Sequence, residues 1–531
     1  MKRFLSCFLL GAVLSLSVAC VPMSTTAVTT VTETTTASTA TETTTAETTT
    51  TVETTTTIET TTTETTVTTT EMTTTIDFSA IAVAATATNA AAQFADLSAA
   101  ITAWSDGTTA TISVDDLIAY EPYSGTGAAL TYSAAWLIDN SPDRDAIIEY
   151  IFGTDGLHVQ LIRLCVGTSD FTTAAMGHYT YDDTVGNVAD TDLSEFSIAK
   201  DAIIIGILQD ALAINPDIVF MAAPWSAPAW MKTNKSLYGG QLSSTYYNAY
   251  AQYLIKFLEA YRDEGIEIDY LSVQNEPYYA ASDYPGMTWT VDTTKIFIRD
   301  FLGPQRDTAG LTAKIMIWDH NPVDNAGALI DFPVRVLRSA ETAAYIGAIG
   351  IHCYTGDDAD MYDFLEYLYT NAPDMEIFMT ECTAVTTYTN LEQNMEWSIR
   401  RMYLEAFNRH ASGTAYWNLV MDPNGATHLG GCSTCTGLVT VPVSGSGFET
   451  EADGYVTAHF AKYVALGARR IATRSFNTNV LVVGYLADDG QITLVVWNDG
   501  SARNVSVTWR GKKFTVLLPA NSLTSIRWQK P

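Results

Sequence analysis

Apolar residues change their rhythm along this chain. Between residues 158 and 417, short continuous apolar runs alternate with stretches in which apolar positions recur every three to four residues. The runs at 158–164, 217–222, 268–274, 314–318, 346–352, 376–379 and 413–417 read as buried strands. Between them, 243–263 places Tyr247, Tyr250, Leu254, Phe257, Leu258 and Tyr261 on one helical face, and 294–301 and 391–408 are further helical runs. Parallel strands must be joined by crossovers, and helices are the usual crossover. This many strand-and-helix units therefore predicts a closed (β/α)8 barrel, an α/β fold, rather than an open sheet.

After about Gly467 the period shortens to two. Segments 479–486, 491–498, 504–509, 513–518 and 522–529 alternate apolar and polar residues and are separated by turns such as Asp488-Asp489-Gly490. That pattern predicts an antiparallel β-sandwich, which the strand at 111–115 could join. Residues 24–75 are almost wholly Thr with interspersed Glu, Val and Ala. Without apolar periodicity they cannot offset the entropy of ordering, so 21–100 is expected to be a disordered stalk, with hydroxyls dense enough for O-glycosylation. The expected plan is a signal peptide (1–20), stalk (21–100), sandwich-joining strands (101–124), catalytic barrel (125–466) and C-terminal sandwich (467–531).

Charge narrows the partners. Only 16% of residues are charged, yet the net charge is −31. Such a surface repels nucleic acid and anionic lipid. Lys2 and Arg3 precede an apolar run, 4–16, and small residues up to Ala19. This is the layout of a secretory leader, too short for a membrane span, and no later stretch reads as a transmembrane segment. Export is expected, either free or with Cys20 carrying a lipid, although Ser17 fits a lipoprotein box poorly. Cys432 and Cys435 form one CxxC without the second pair a zinc site needs, so they read as a loop disulfide or as two inert thiols.

The candidate chemistry starts at Gln274-Asn275-Glu276-Pro277. Proline cannot continue a central strand, so Glu276 stands at the carboxyl end of one, where barrel enzymes carry their catalytic groups. Thr380-Glu381 ends the 376–379 run on the same face. Two strand-end glutamates suit glycoside hydrolysis. One protonates the glycosidic oxygen while the other attacks the anomeric carbon, and the roles reverse as water cleaves the intermediate. With like charges adjacent, Glu381 is expected ionised and Glu276 protonated.

Pro224-Trp225-Ser226-Ala227-Pro228-Ala229-Trp230-Met231-Lys232 together with Gln274-Asn275-Glu276-Pro277 makes residues 110–530 resemble glycoside hydrolase family 30, the group of glucosylceramidases and endo-β-1,6-glucanases. Gly125-Thr126-Gly127-Ala128-Ala129-Leu130-Thr131 is similar to the family's opening turn, Arg163 to the Arg of its second strand, and Ser169-Asp170-Phe171 with Tyr179-Thr180-Tyr181 to its following loop. Gly350-Ile351-His352-Cys353-Tyr354, Thr380-Glu381-Cys382 and Trp417-Asn418-Leu419 match its sixth, seventh and eighth strands.

The resemblance implies a (β/α)8 TIM barrel with an associated antiparallel β-sandwich built from both ends of the domain. It also implies Glu276 as acid/base and Glu381 as nucleophile. Asn275 is expected to hold the sugar 2-hydroxyl and Trp225 and Trp417 to flank the ring. His352 and Tyr354 are expected beside nucleophile or substrate, Arg163 to orient a carboxylate, and Asp170 and Tyr181 to lie just behind. Tyr132 stands where glucosylceramidases carry a sugar-binding Asp, so either the sugar differs or another acceptor, such as Asp357 or Asp358, replaces it.

The implied activity is that of a secreted retaining β-glycosidase, glucosylceramidase-like, working without metal or cofactor as a monomer on a β-linked glycan or glucosyl lipid. The alternatives are an endo-acting β-1,6-glucanase or xylanase, and a non-catalytic carbohydrate-binding surface protein.

Overall fold

The structure, a computed structural model, describes residues 81–87, 93–106, 110–384 and 391–530. The expected signal peptide, Cys20 and the Thr-rich stretch lie outside the described residues.

Eight parallel strands close a barrel: β1 (Gly125–Leu130), β2 (Leu161–Val166), β3 (Val219–Pro224), β4 (Tyr270–Ser272), β5 (Lys314–His320), β6 (Ile346–His352), β7 (Glu376–Glu381) and β8 (Ala411–Tyr416). Each pairs with its sequence neighbours, and β8 closes the ring onto β1. β1 and β2 are buried at every position because helices cover the outside while side chains fill the inside. The sequence pattern marks β1 only as a tight turn; its small residues hide a strand. Their smallness has a cause at Gly127, where a Cβ would lie 1.8 Å from the Leu161 carbonyl oxygen. The helix Tyr247–Asp263 buries Tyr250, Tyr253, Leu254, Phe257 and Tyr261 against the barrel, as its periodicity requires.

Beside the barrel lies a ten-stranded sheet made from both ends of the described chain. Ala82–Ala87 pairs antiparallel with Ser522–Gln529 over six residues. The folded part therefore begins by Ile81, which corrects the expectation of a stalk running to residue 100. Ile112–Pro122 joins the same sheet, antiparallel to Arg469–Ser475 but parallel to Arg503–Trp509, so the sheet is not antiparallel throughout.

The period of two explains how the sheet is buried on both faces. Val480, Val482, Ile492, Leu494 and Val496 point into a core of its own with Trp509, Phe514 and Trp528. The alternate residues Val483, Tyr485, Val495 and Trp497 join the barrel's core. There Tyr485 meets Tyr123 edge-on, and Tyr123 in turn packs on Phe407. Among the described residues no helix is long and apolar enough to cross a membrane.

Candidate active site

The carboxyl ends of the barrel strands and the loops after them enclose a cavity of about 720 Å³, within the range of small-ligand pockets. Backbone geometry aims the groups that meet there. Pro277 ends β4's extension, and Glu276 takes φ 50°, in the left-handed region that costs a non-glycine residue about 1–3 kcal/mol. At the end of β5, Trp318 and Asp319 take φ 74° and 53° in succession. The chain turns there, carrying Asp319 under the cavity and His320 into its wall.

Glu276 and Glu381 both line this cavity. They meet around one imidazole: His352 Nδ1 lies 3.1 Å from Glu276 Oε1 and 3.8 Å from Glu381 Oε1. Arg163 donates to Glu381 Oε2 at 2.8 Å, to Asn275 Oδ1 at 2.7 Å and to Asp319 Oδ2 at 3.1 Å. Its guanidinium also sits 4.9 Å from the Trp225 ring centre. The Tyr354 hydroxyl donates to Glu381 Oε1 at 3.0 Å. Trp225 and Trp417 stack on each other at 5.3 Å and present one aromatic wall to the cavity.

The electrostatics run against the expected distribution of the proton. Burial raises the Glu381 carboxyl above its ordinary value, with His352 and Arg163 opposing. Burial acts on Glu276 too, but hydrogen bonds from His320 and His352 override it and hold that carboxyl well below the usual range. His352 resists burial: the charge of Glu381 and bonds to Asp319 and Glu276 lift it to about 9. The expected arrangement, a protonated Glu276 beside an ionised Glu381, is thus corrected. The set titrates together, and the raised imidazole between the two carboxyls shares the resting proton with them.

Of the residues singled out in the sequence, Glu276, Glu381, Asn275, Trp225, Trp417, Tyr354 and Asp170 line the cavity. Arg163 and His352 are fully buried beneath it and touch the carboxylates rather than the open space. Tyr132 is a correction. As the first residue of the helix Tyr132–Asp139 it packs edge-on against Tyr179, outside the cavity, because Thr131 caps that helix and turns the chain away. Asp357 and Asp358 are a second correction: Asp357 caps the helix Asp358–Asn371 and Asp358 pairs with Arg401, both away from the cavity.

A further acceptor in the cavity is Asp170, whose carboxyl burial and the charge of Glu381 push up to about 8. Tyr181 is buried, with its hydroxyl 3.3 Å from the carbonyl oxygen of Cys165, which packs with Trp225 and Trp417. It donates at 2.6 Å to buried Asp201, which also receives Tyr179 and Tyr261.

Sequence reasoning missed Asp319 and His320, because it ended that strand at Trp318, one residue short of the Asp-His pair. It also missed Tyr278, Tyr279, Asp283 and Tyr284, which form the cavity's aromatic and acidic rim in an aperiodic loop. Cys432 and Cys435 are disulfide-bonded, and their loop donates from Cys432 N to Asp170 and from Gly431 N to Asp283. Cys353 and Cys382 form a second bridge, leaving Cys165 as the free cysteine among the described residues.

Residues 123–464 match the Glycosyl hydrolase family 30 TIM-barrel domain, and residues 467–526 the Glycosyl hydrolase family 30 beta sandwich domain. An endo-1,6-beta-D-glucanase of Neurospora crassa is 30% identical over 426 residues, covering 77% of this chain and 85% of that protein. Putative glucosylceramidase 2 of Caenorhabditis elegans is 30% identical over 412 residues, 72% of this chain and 76% of that protein. Among solved structures, the endo-beta1,6-glucanase BT3312 superposes with a TM-score of 0.75 at 28% identity, over 85% of this chain and all of the other.

Proposed function

The chain belongs to glycosyl hydrolase family 30, and from that premise we propose that it is a retaining β-glucosidase whose substrate is a β-1,6-linked glucan. The observation that carries the mechanism is the pair of glutamates held 3.1 and 3.8 Å from one imidazole nitrogen. Two oxygens tied to a common atom can be no further apart than the sum of those distances. Most of the roughly 6.5–9.5 Å spacing that inverting enzymes use to seat a water is thereby out of reach.

In this reading Glu381 attacks the anomeric carbon, and Arg163 and Tyr354 aim its two oxygens. The proton held on His352 passes to Glu276 and from there to the departing glycosidic oxygen. Glu276, now a base, takes a proton from the water that cleaves the glycosyl ester. Asn275, fixed by Arg163, faces the sugar's 2-hydroxyl, and Asp170 serves the far hydroxyls in place of the missing Asp at position 132.

The rim favours a glycan over a glucosyl lipid. Tyr278 and Tyr279 are about half exposed, and Asp283, Asn321, Asp324 and Asn325 stand among them. Aromatic faces with polar neighbours suit successive sugars, whereas a ceramide needs a wide apolar surface. The similarity to endo-1,6-glucanases supports the same choice, and the secretory-type leader supports action outside the cell. A panel of β-1,6-gluco-oligosaccharides, xylan and glucosylceramide tests the substrate, with NMR of the first-formed product for stereochemistry. Cleavage of the β-1,6 series with initial release of the β-anomer is expected; exclusive turnover of glucosylceramide, or initial α-anomer, would overturn the corresponding part.

A further inference from the structure

Around Glu276 the side chains form a second pattern that hydrolysis does not require. Its Oε1 lies 3.1 Å from His352 Nδ1 and 3.4 Å from His320 Nδ1, and one ligand atom from each of the three residues falls within 4.8 Å of the others. A tetrahedral zinc ion with arms of about 2.0–2.1 Å needs ligand atoms about 3.3 Å apart. Two of the three edges already have that length, and only the separation of the two imidazoles has to adjust.

The surroundings fit as well. His352 Nε2 lies 3.3 Å from Asp319 Oδ1, so an imidazole ligated through Nδ1 would donate its remaining N–H to a carboxylate, the usual outer partner of a metal-bound histidine. Arg163 pins that carboxylate from the other side. His320 and Glu276 both border the cavity, which leaves a fourth position open to water. Glu381 Oε1, 3.8 Å from His352 Nδ1, adds negative charge beside the site.

We propose that Glu276 Oε1, His320 Nδ1 and His352 Nδ1 form an inhibitory binding site for a divalent transition-metal ion of the zinc type. The ion occupies the oxygen that must carry the acid proton, so metal binding and hydrolysis exclude each other. Two imidazoles and one carboxylate favour Zn²⁺ and Cu²⁺, whereas Mg²⁺ and Ca²⁺ prefer all-oxygen sites. The blocking half rests on the glycosidase reading; the binding half does not.

The test is calorimetric titration of the purified full chain with ZnCl2 near neutral pH, with hydrolysis followed in parallel. One Zn²⁺ per chain is expected, reversible by EDTA, with hydrolysis lost in proportion to occupancy and no effect of Mg²⁺. His320→Asn should weaken binding at least as much as the roughly 10–100-fold that loss of an outer partner costs. His158→Gln, at the opposite end of the barrel, should bind like the parent.

Co²⁺ added to the unaltered protein gives a readout that needs no variant: intense visible bands of low-symmetry four-coordination are expected. Binding that survives His320→Asn, a Co²⁺ spectrum no stronger than the aquo ion, or full occupancy with hydrolysis intact would each overturn the proposal. If no glycoside is cleaved at all, the functional reading fails, and metal binding is still decided by the calorimeter.

Discussion

Glu276 and Glu381 carry different neighbours, and the difference sets what each substitution should do. Glu381 receives Arg163 and Tyr354, two donors that fix its oxygens without supplying a transferable proton at neutral pH. Glu381→Ala should lower kcat by several orders of magnitude while the fold persists, measured as turnover of a β-1,6-gluco-oligosaccharide; substantial residual turnover would contradict its role as nucleophile. His352 holds its proton up to about 9, so in the parent the alkaline limb of kcat/KM should follow the loss of that shared proton. In His352→Asn the proton must reside on Glu276 itself. The limb should then move to lower pH, whereas a purely structural loss would scale the whole profile without moving it. At this scale the sequence disclosed what chain punctuation disclosed. Pro277 marked Glu276, and the end of an apolar run marked Glu381. Nothing in the spacing marked Asp319 or His320, because their roles come from two left-handed residues that no pattern of polarity encodes.

Between residues and domains stands the Cys353–Cys382 bridge, which joins the ends of β6 and β7. Its two half-cystines are the immediate neighbours of His352, Tyr354 and Glu381, so the bridge fixes the spacing of the imidazole, the phenol and the nucleophile. Closing a loop with a sequence separation of 29 corresponds to about 3–4 kcal/mol in the chain-entropy view. The double variant Cys353→Ser/Cys382→Ser should lose roughly that much in denaturant unfolding and should also lower kcat more than it raises KM. Elements with strong periodicity, such as Tyr247–Asp263 and the sheet strands after Gly467, were legible from the sequence. The strand Gly125–Leu130 was not, since four Gly and Ala residues with one Thr and one Leu give no period. The strand Ala82–Ala87 was hidden by its alanines, and only pairing with Ser522–Gln529 gives it an identity. A chain starting at Ile81 should therefore keep the thermal midpoint of the full protein, while one starting at residue 102 should melt lower.

Taken whole, the molecule buries more carboxyls than it pairs with cations. Burial lifts Asp182 and Asp453 to about 7 and Asp201 to about 6, as it lifts Asp170 to about 8. A carboxyl whose folded value lies above its unfolded one stabilises fully below the unfolded value, near 4, and loses that contribution as pH rises through the folded value. His459, pushed by burial down to about 3, acts in the opposite sense: its contribution is present above about 6.5 and lost as pH falls toward 3. The raised carboxyls, joined by His352 at about 9, outweigh the lowered His459 and His178, so the thermal midpoint should be higher at about pH 5 than at about pH 7. Scanning calorimetry across that interval checks it, and a midpoint that climbs instead would show that these carboxyls are ionised in the folded state. The ten-stranded sheet also orders events during synthesis. The barrel is complete in sequence once Tyr416 and the helix Ala452–Ala461 have been made. Ala82–Ala87, among the earliest described residues to leave the ribosome, pairs with Ser522–Gln529, which is among the last. Ile81 and Val83 must therefore wait without their partners until translation ends, and a nascent chain stalled after the barrel should carry an unseated, protease-accessible first strand.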